Sequence, residues 1–260
     1  MHRILIAALL FTPLTHAQEP TPSLATDAVA HLVGNFQQQA HYTYLDTEHD
    51  LSYIDGKRNE EKSTLSETVE LEGQAYTRKL QINGKPLTGK ALAHEQQLYD
   101  EAIKERRSVA DLRAEEGKSF HHKSSTTIDR LSFDFTNRVI GHESMDGHAC
   151  VQVLFEPKPE VSPAPTKKFT LWVDTATHDV LRFDQELLVV ENNLLPGSTF
   201  STRFAPVDGV MLQQQFIVDS YWNEPIFHNK RVHIIGTHSY TNYRRFRTTV
   251  TISPGPSTPQ

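Results

Sequence analysis

The chain has 260 residues, 37% of them hydrophobic, with 26 Lys and Arg against 32 Asp and Glu and a formal net charge of −6. That length suits one domain of the larger β kind, with enough chain to bury a core. Basic residues are interleaved with acids rather than gathered in a stripe, which excludes a nucleic-acid binder, and the single cysteine, Cys150, excludes an internal disulfide.

Residues 1–17 carry Arg3, an apolar run over 4–11 and the small-residue site Thr15-His16-Ala17, the pattern of a cleavable export signal. Pro13 breaks the run, and the run is too short to span a bilayer. No cysteine follows it, so the mature chain reads as exported and not lipid-anchored. No other stretch approaches the roughly 18 apolar residues of a transmembrane span.

Leu24, Ala28, Leu32 and Phe36 recur at helical spacing and predict a helix over 23–39. Residues 41–54 alternate loosely; 64–71 alternate more clearly, with Leu65, Val69 and Leu71 on one side. Glu72-Gly73-Gln74 is a turn, Tyr76, Leu80 and Ile82 share the next strand face, and Asn83-Gly84-Lys85-Pro86 ends it. Over 87–116 the pattern changes to a long, charged helix with a narrow stripe at Leu92, Tyr99, Ile103 and Ala110. Gly117-Lys118-Ser119 resembles the end of a phosphate loop, but Leu112 stands where the motif needs glycine.

Strands resume at Ile128, with Leu131, Phe133, Phe135 and Val139 on one face, and Asp146-Gly147 makes a hairpin turn into the strand of Cys150. That position predicts a buried, inert thiol. Residues 156–166, with four prolines, form an extended surface loop. Phe169, Leu171 and Val173, then Leu181 and Phe183, then Phe200, Phe204, Phe216, Val218, Val232 and Ile234 continue the alternation, with turns at 174–179, Asp208-Gly209, Asn223-Glu224-Pro225 and near Gly236. The cluster Arg244-Arg245-Phe246-Arg247 reads as a solvated strand edge, and 253–260 as a disordered tail.

About ten or eleven strands joined mostly by short turns give an antiparallel sheet, and sheets of that size curl or close. The predicted class is α+β, mainly β: a strongly curved open half-barrel with helices on its concave side.

Fourteen histidines invite a metal reading, but adjacent His121 and His122 point to opposite strand faces. His228, His233 and His238 are spaced by five, which also alternates faces unless a turn at Gly236 brings the last two together. With no H-E-x-x-H, Cys/His quartet or G-x-S-x-G elbow, neither a metal site, a cofactor nor a catalytic residue is expected, and the histidines read as solvated. Glu67, Glu70, Asp134 and Asp184 read as the wet face of the sheet. The apolar parity set is Leu171, Val173, Leu181, Phe183, Phe200, Phe204, Phe216 and Val218. Such a face is core where a helix covers it and ligand cavity where none does.

Lys168-Phe169-Thr170-Leu171-Trp172-Val173-Asp174, followed by Thr177 and Val180-Leu181-Arg182-Phe183, resembles a strand-turn-strand of the bacterial outer-membrane lipoprotein-sorting (LolA/LolB-like) superfamily. A second match runs from Phe200–Phe204 through Asp208-Gly209-Val210-Met211-Leu212 to Phe216. The resemblance implies a single domain over 18–252 and a periplasmic half-barrel whose apolar cavity receives lipid or lipoprotein acyl chains without enzymatic chemistry. The family carrier's functional arginine has no counterpart that can be placed on one residue here. The leading expectation is a carrier gated by the helix over 87–116. The alternative is a module on the same fold that docks an envelope protein through that helix or the proline-rich loop.

Overall fold

A computed structural model describes residues 22–71, 74–116, 127–224 and 230–245. The export segment, the tail over 253–260, Gly117-Lys118-Ser119, His121, His122 and His228 lie outside them.

Helix α1 (Pro22–Gln39) leads into four strands, β1 (Tyr42–Ile54), β2 (Lys57–Leu71), β3 (Gln74–Ile82) and β4 (Lys85–Pro86). Helix α2 (Gly89–Glu116) follows; after it come a 3-10 turn (Thr127–Arg130) and the short α3 (Leu131–Asp134). Seven more strands close the chain: β5 (Phe135–Met145), β6 (His148–Pro157), β7 (Lys167–Asp174), β8 (Val180–Leu187), β9 (Thr199–Val207), β10 (Val210–Glu224) and β11 (Lys230–Arg245).

All eleven strands form one open, curved antiparallel sheet in the order β4-β3-β2-β1-β11-β10-β9-β8-β7-β6-β5. Two meanders are thus stitched together where the first long strand meets the last. Their hairpins turn on Asp55-Gly56, Asn83-Gly84, Asp146-Gly147 and Asp208-Gly209, each pair with positive φ at both residues. That is the primed turn whose twist matches the strands. Asn83-Gly84 ends β3, as the sequence predicts, and folds a two-residue β4 back on it.

Helix α1 seats on the inner face of the sheet as its spacing predicts. Ala25, Ala28, Val29 and Leu32 are buried, Leu24 and Phe36 partly so, against a core that includes Phe135, Phe155, Phe169, Phe183, Phe204 and Met211. Each large apolar side chain buried there contributes roughly 1.5–3 kcal/mol. Cys150 is buried in this core, and burial pushes its thiol up from the ordinary value.

Two placements differ from the sequence reading. The strand expected from Ile128 begins only at Phe135: the preceding residues are helical, so Leu131 and Phe135, four apart, turn inward together, and Phe133 is 73% exposed. Helix α2 does not lie over the inner face with α1. It runs along the free edge of β3, where Glu95 accepts the Lys79 amide (3.1 Å), Arg106 donates to the carbonyls of Ala75 (2.7 Å) and Leu71 (3.2 Å), and Tyr99 meets Tyr76 edge-on at 5.4 Å. Its stripe is too narrow to seat on the sheet, with Leu92 and Leu98 exposed, so its polar side chains satisfy edge backbone groups instead.

Candidate binding face

Directly opposed residues of an antiparallel pair share a face, so the register traces one surface across the sheet. One line runs Phe183, Thr202, Phe216, His238, Glu48, Thr64 from β8 to β2. A second runs Phe200, Val218, Gly236, Asp50, and a third joins Tyr240, Asp46 and Ser66. Phe204, two residues from Thr202, packs edge-on against Phe36 of α1 at 5.6 Å, which identifies this surface as the inner face.

Helix α1 covers only part of it. It packs on β8, β9, β10, the β7–β8 turn and the segment Thr127–Asp134; no described helix packs to a comparable extent on β1, β2 or β11. The eight residues of the apolar parity set divide accordingly. Leu171, Val173, Leu181, Phe183 and Phe204 are at most 6% exposed and belong to the core around α1. Phe200, Phe216 and Val218 are half-buried on β9 and β10 and do not belong to that core.

Beside those three stands a group that the sequence reading missed. A row of rings crosses four strands, with centroids 6.4 Å apart from Phe200 to Phe216, 5.7 Å to His238, 6.1 Å to Tyr240, 5.6 Å to Tyr44 and 5.2 Å to Tyr243. Tyr243 stands beside a bulge at Asn242, which has positive φ, and donates its hydroxyl to the Gln213 carbonyl. Three carboxylates, Asp46, Glu48 and Asp50, project from alternate residues of β1 onto the same face. His238 Nδ1 lies 3.1 Å from Asp46 and its Nε2 3.9 Å from Glu48. The spacing Tyr44-x-Asp46-x-Glu48-x-Asp50 is a period-2 signal in a stretch that the sequence reads as only loosely alternating. His238 and His233 are not the solvated side chains expected: both are half-buried on β11, and the strand's pleat sends them to opposite faces. His233 is stacked between Tyr221 and Tyr53 and bonds Asp219 at 2.7 Å.

The hydrogen bond to Asp46 raises His238 above its ordinary 6.5 against the opposing effect of burial, and Glu48 and Asp50 add to the rise. Burial, then repulsion from Asp50, raises Glu48. Burial also drives Tyr240 and Tyr243 far up, so both stay neutral phenols. The face therefore sets neutral phenol rings beside carboxylates.

A histidine held above its unfolded pKa stabilises the fold fully below about pH 6.5, and that contribution is lost as pH rises through the folded value. Urea unfolding of the wild type is expected to show stability declining over that rise, and His238→Asn is expected to flatten the decline. An unchanged slope in the variant would mean that His238 does not carry the linkage.

A cavity of about 510 Å³ lies instead on the outer face among Lys168, Arg182, Asp184, Arg203 and Asp219. Its charges are already matched: Arg182 with Asp184 (2.6 Å), Lys168 with Glu186 (2.9 Å), Arg203 with Asp146 (3.1 Å), Asp219 with His233 (2.7 Å). A ligand there would have to break them. Among the described residues no group of three or more His, Cys, Asp or Glu is placed to hold a metal ion. No described helix is long and apolar enough to cross a membrane.

No family model matches the chain, and no curated protein is significantly similar to it. Among solved structures the chain is similar to a LolA superfamily protein from Nitrosomonas europaea (TM-score 0.36, 7% identity, 86% of this chain and 93% of that one). It is also similar to a putative outer membrane lipoprotein-sorting protein domain from Vibrio parahaemolyticus (TM-score 0.36, 10% identity, 88% and 95%). A DUF1329 family protein from Desulfovibrio piger gives a TM-score of 0.34 at 14% identity over 88% and 94%. At such scores and identities the likeness assigns neither superfamily, activity nor ligand.

Proposed function

We propose that this protein is an exported, periplasmic, non-enzymatic binder of an amphiphile, such as a lipid or a lipoprotein acyl chain, seated on the inner face of its sheet. The observation that carries this reading is the division of that face. Leu171, Val173, Phe183 and Phe204 are filled core around α1, whereas Phe200, Phe216 and Val218 continue the same apolar surface half-buried and outside that core. Each acyl methylene buried against such a surface contributes roughly 0.8 kcal/mol, so affinity needs no covalent chemistry.

Delipidated protein is to be titrated with a fluorescent fatty acid or lipopeptide, and saturable binding is expected. Phe216→Ala is expected to weaken that binding about tenfold or more, the equivalent of roughly 1.5–3 kcal/mol of ring burial, while costing less stability than a core phenylalanine. Absence of saturable binding, or a Phe216→Ala protein that binds as tightly as wild type, would overturn the assignment of this face.

A further inference from the structure

The acids of β1 are not explained by an apolar site. Inward-pointing charges protect sheet edges, but β1 lies inside the sheet, paired on one side with β2 and on the other with β11. Taking carboxylates out of water costs free energy unless a cation compensates. Here Asp46, Glu48 and Asp50 face His238, with Lys62 opposite Asp50 in the strand register. The side chains of Asp46 and Glu48 keep only 18% and 32% of their exposure.

The sheet is also built to hold these acids. Gly236 stands mid-strand in β11, where glycine weakens a strand, and a Cβ on it would lie 2.8 Å from Asp50 Oδ1. The glycine lets the carboxylate lie down against the sheet beside Val218. Next to the acids stand the half-buried rings of Tyr44 and Tyr240, 5.6 Å apart, and aromatic rings attract cations through their quadrupole. At the far end of the ring row, 6.1 Å from Tyr243, Tyr42 is 1% exposed, and its buried hydroxyl has no hydrogen-bond partner among the described residues. Phe200 and Val218 lie on the same register line as Gly236 and Asp50, so the apolar and anionic stretches are continuous.

We propose that the amphiphile bound here carries a cationic head, an ammonium or guanidinium group. Asp46, Glu48 and Asp50 and the rings of Tyr44 and Tyr240 hold the head, and Phe200, Phe216 and Val218 hold the tail. The occupant follows from charge complementarity: Asp46, Glu48 and Asp50 outnumber the two basic groups facing them, His238 and Lys62, so an anionic head would be repelled and a cationic one supplies the compensation still missing.

This rests on the amphiphile-binding reading, and matched probes separate the two. Decyltrimethylammonium, decyl sulfate and decyl maltoside, each below its micelle concentration, are titrated calorimetrically into the full chain. The cationic probe is expected to bind at one site per chain about tenfold or more tighter than the sulfate. Neutralising Asp46→Asn, Glu48→Gln and Asp50→Asn together is expected to abolish that preference. Neutralising three outer-face acids, Glu67→Gln, Glu186→Gln and Asp219→Asn, is expected to preserve it. Should the inner triple variant not fold by circular dichroism, Tyr44→Leu and Asp50→Asn are read singly, each lowering affinity for the cation severalfold and leaving the sulfate unchanged. Equal affinity for sulfate and ammonium, or an equal loss in the outer-face variant, overturns the cationic head and leaves the amphiphile reading standing. If no probe binds saturably, the amphiphile reading itself fails.

Discussion

Phe183→Ala is expected to lower the free energy of unfolding by about 3–5 kcal/mol, the range for truncating a fully buried phenylalanine. Its ring is 1% exposed, stacks parallel on Phe169 at 5.5 Å and stands opposite Leu171, itself 0% exposed, in the β7–β8 register. Those neighbours are held by α1 and Phe135 on one side and by the sheet on the other, so the space left by the ring cannot collapse cheaply. The variant that remains folded is expected to bind ligand as wild type does. Urea unfolding followed by circular dichroism measures the loss. A cost below about 1 kcal/mol would place Phe183 at a surface with nothing packed on it and would remove the division of the inner face drawn above.

Phe183 and Phe216 could not be told apart from the sequence. Both stand at the apolar parity of a strand, and the register confirms that both face inward. What separates them is how far α1 reaches, and that is set by contacts distant in the chain. Asp27 meets His178 at 3.0 Å and His31 meets Asp179 at 3.2 Å, fixing the first half of the helix over the β7–β8 turn. Phe36 meets Phe204, and then the chain turns at His41 into β1. Helical spacing gives the buried stripe of α1 but not the strands beneath it.

The acids of β1 escaped for a related reason. Alternation is informative when one parity is apolar and the other polar, and in β1 the inward parity holds Tyr44, Asp46, Glu48 and Asp50 while Leu45 and Leu51 take the other. Local pattern therefore reads the sheet inside out at this strand. Only pairing with β11, nearly two hundred residues away in sequence, turns those acids toward His238 and Tyr240. Helix α2 was legible as an exposed charged helix, whereas its post along the β3 edge depends on backbone groups that no side-chain pattern encodes.

Asp174→Ala is expected to cost about 2–3 kcal/mol at neutral pH, because it removes charge-assisted hydrogen bonds from a buried carboxylate. The side chain is 5% exposed; one oxygen accepts the Ala176 amide at 2.8 Å and the other lies 2.6 Å from His148 Nδ1. Its own backbone closes the turn, donating to Asp179 and accepting from His178, both at 2.9 Å, and that turn presents His178 and Asp179 to α1. Burial works to raise this carboxyl, but the Ala176 amide and His148 outweigh it and hold the group below the ordinary 3.8. A depressed acid stabilises the fold above its unfolded pKa, and the contribution is lost as pH falls through the folded value. The difference between wild type and Asp174→Ala should therefore be full at pH 7 and shrink below about pH 3.8. Asp174→Asn keeps an acceptor for Ala176 without the charge and should fall between the two. Unfolding curves for all three proteins across that acid range test this: a difference that stays constant with pH would mean that the carboxylate acts through turn shape alone. Its neighbours Val173 and Val180 would then have to account for the whole loss, as residues that pack the turn rather than residues that leave a charge to be satisfied.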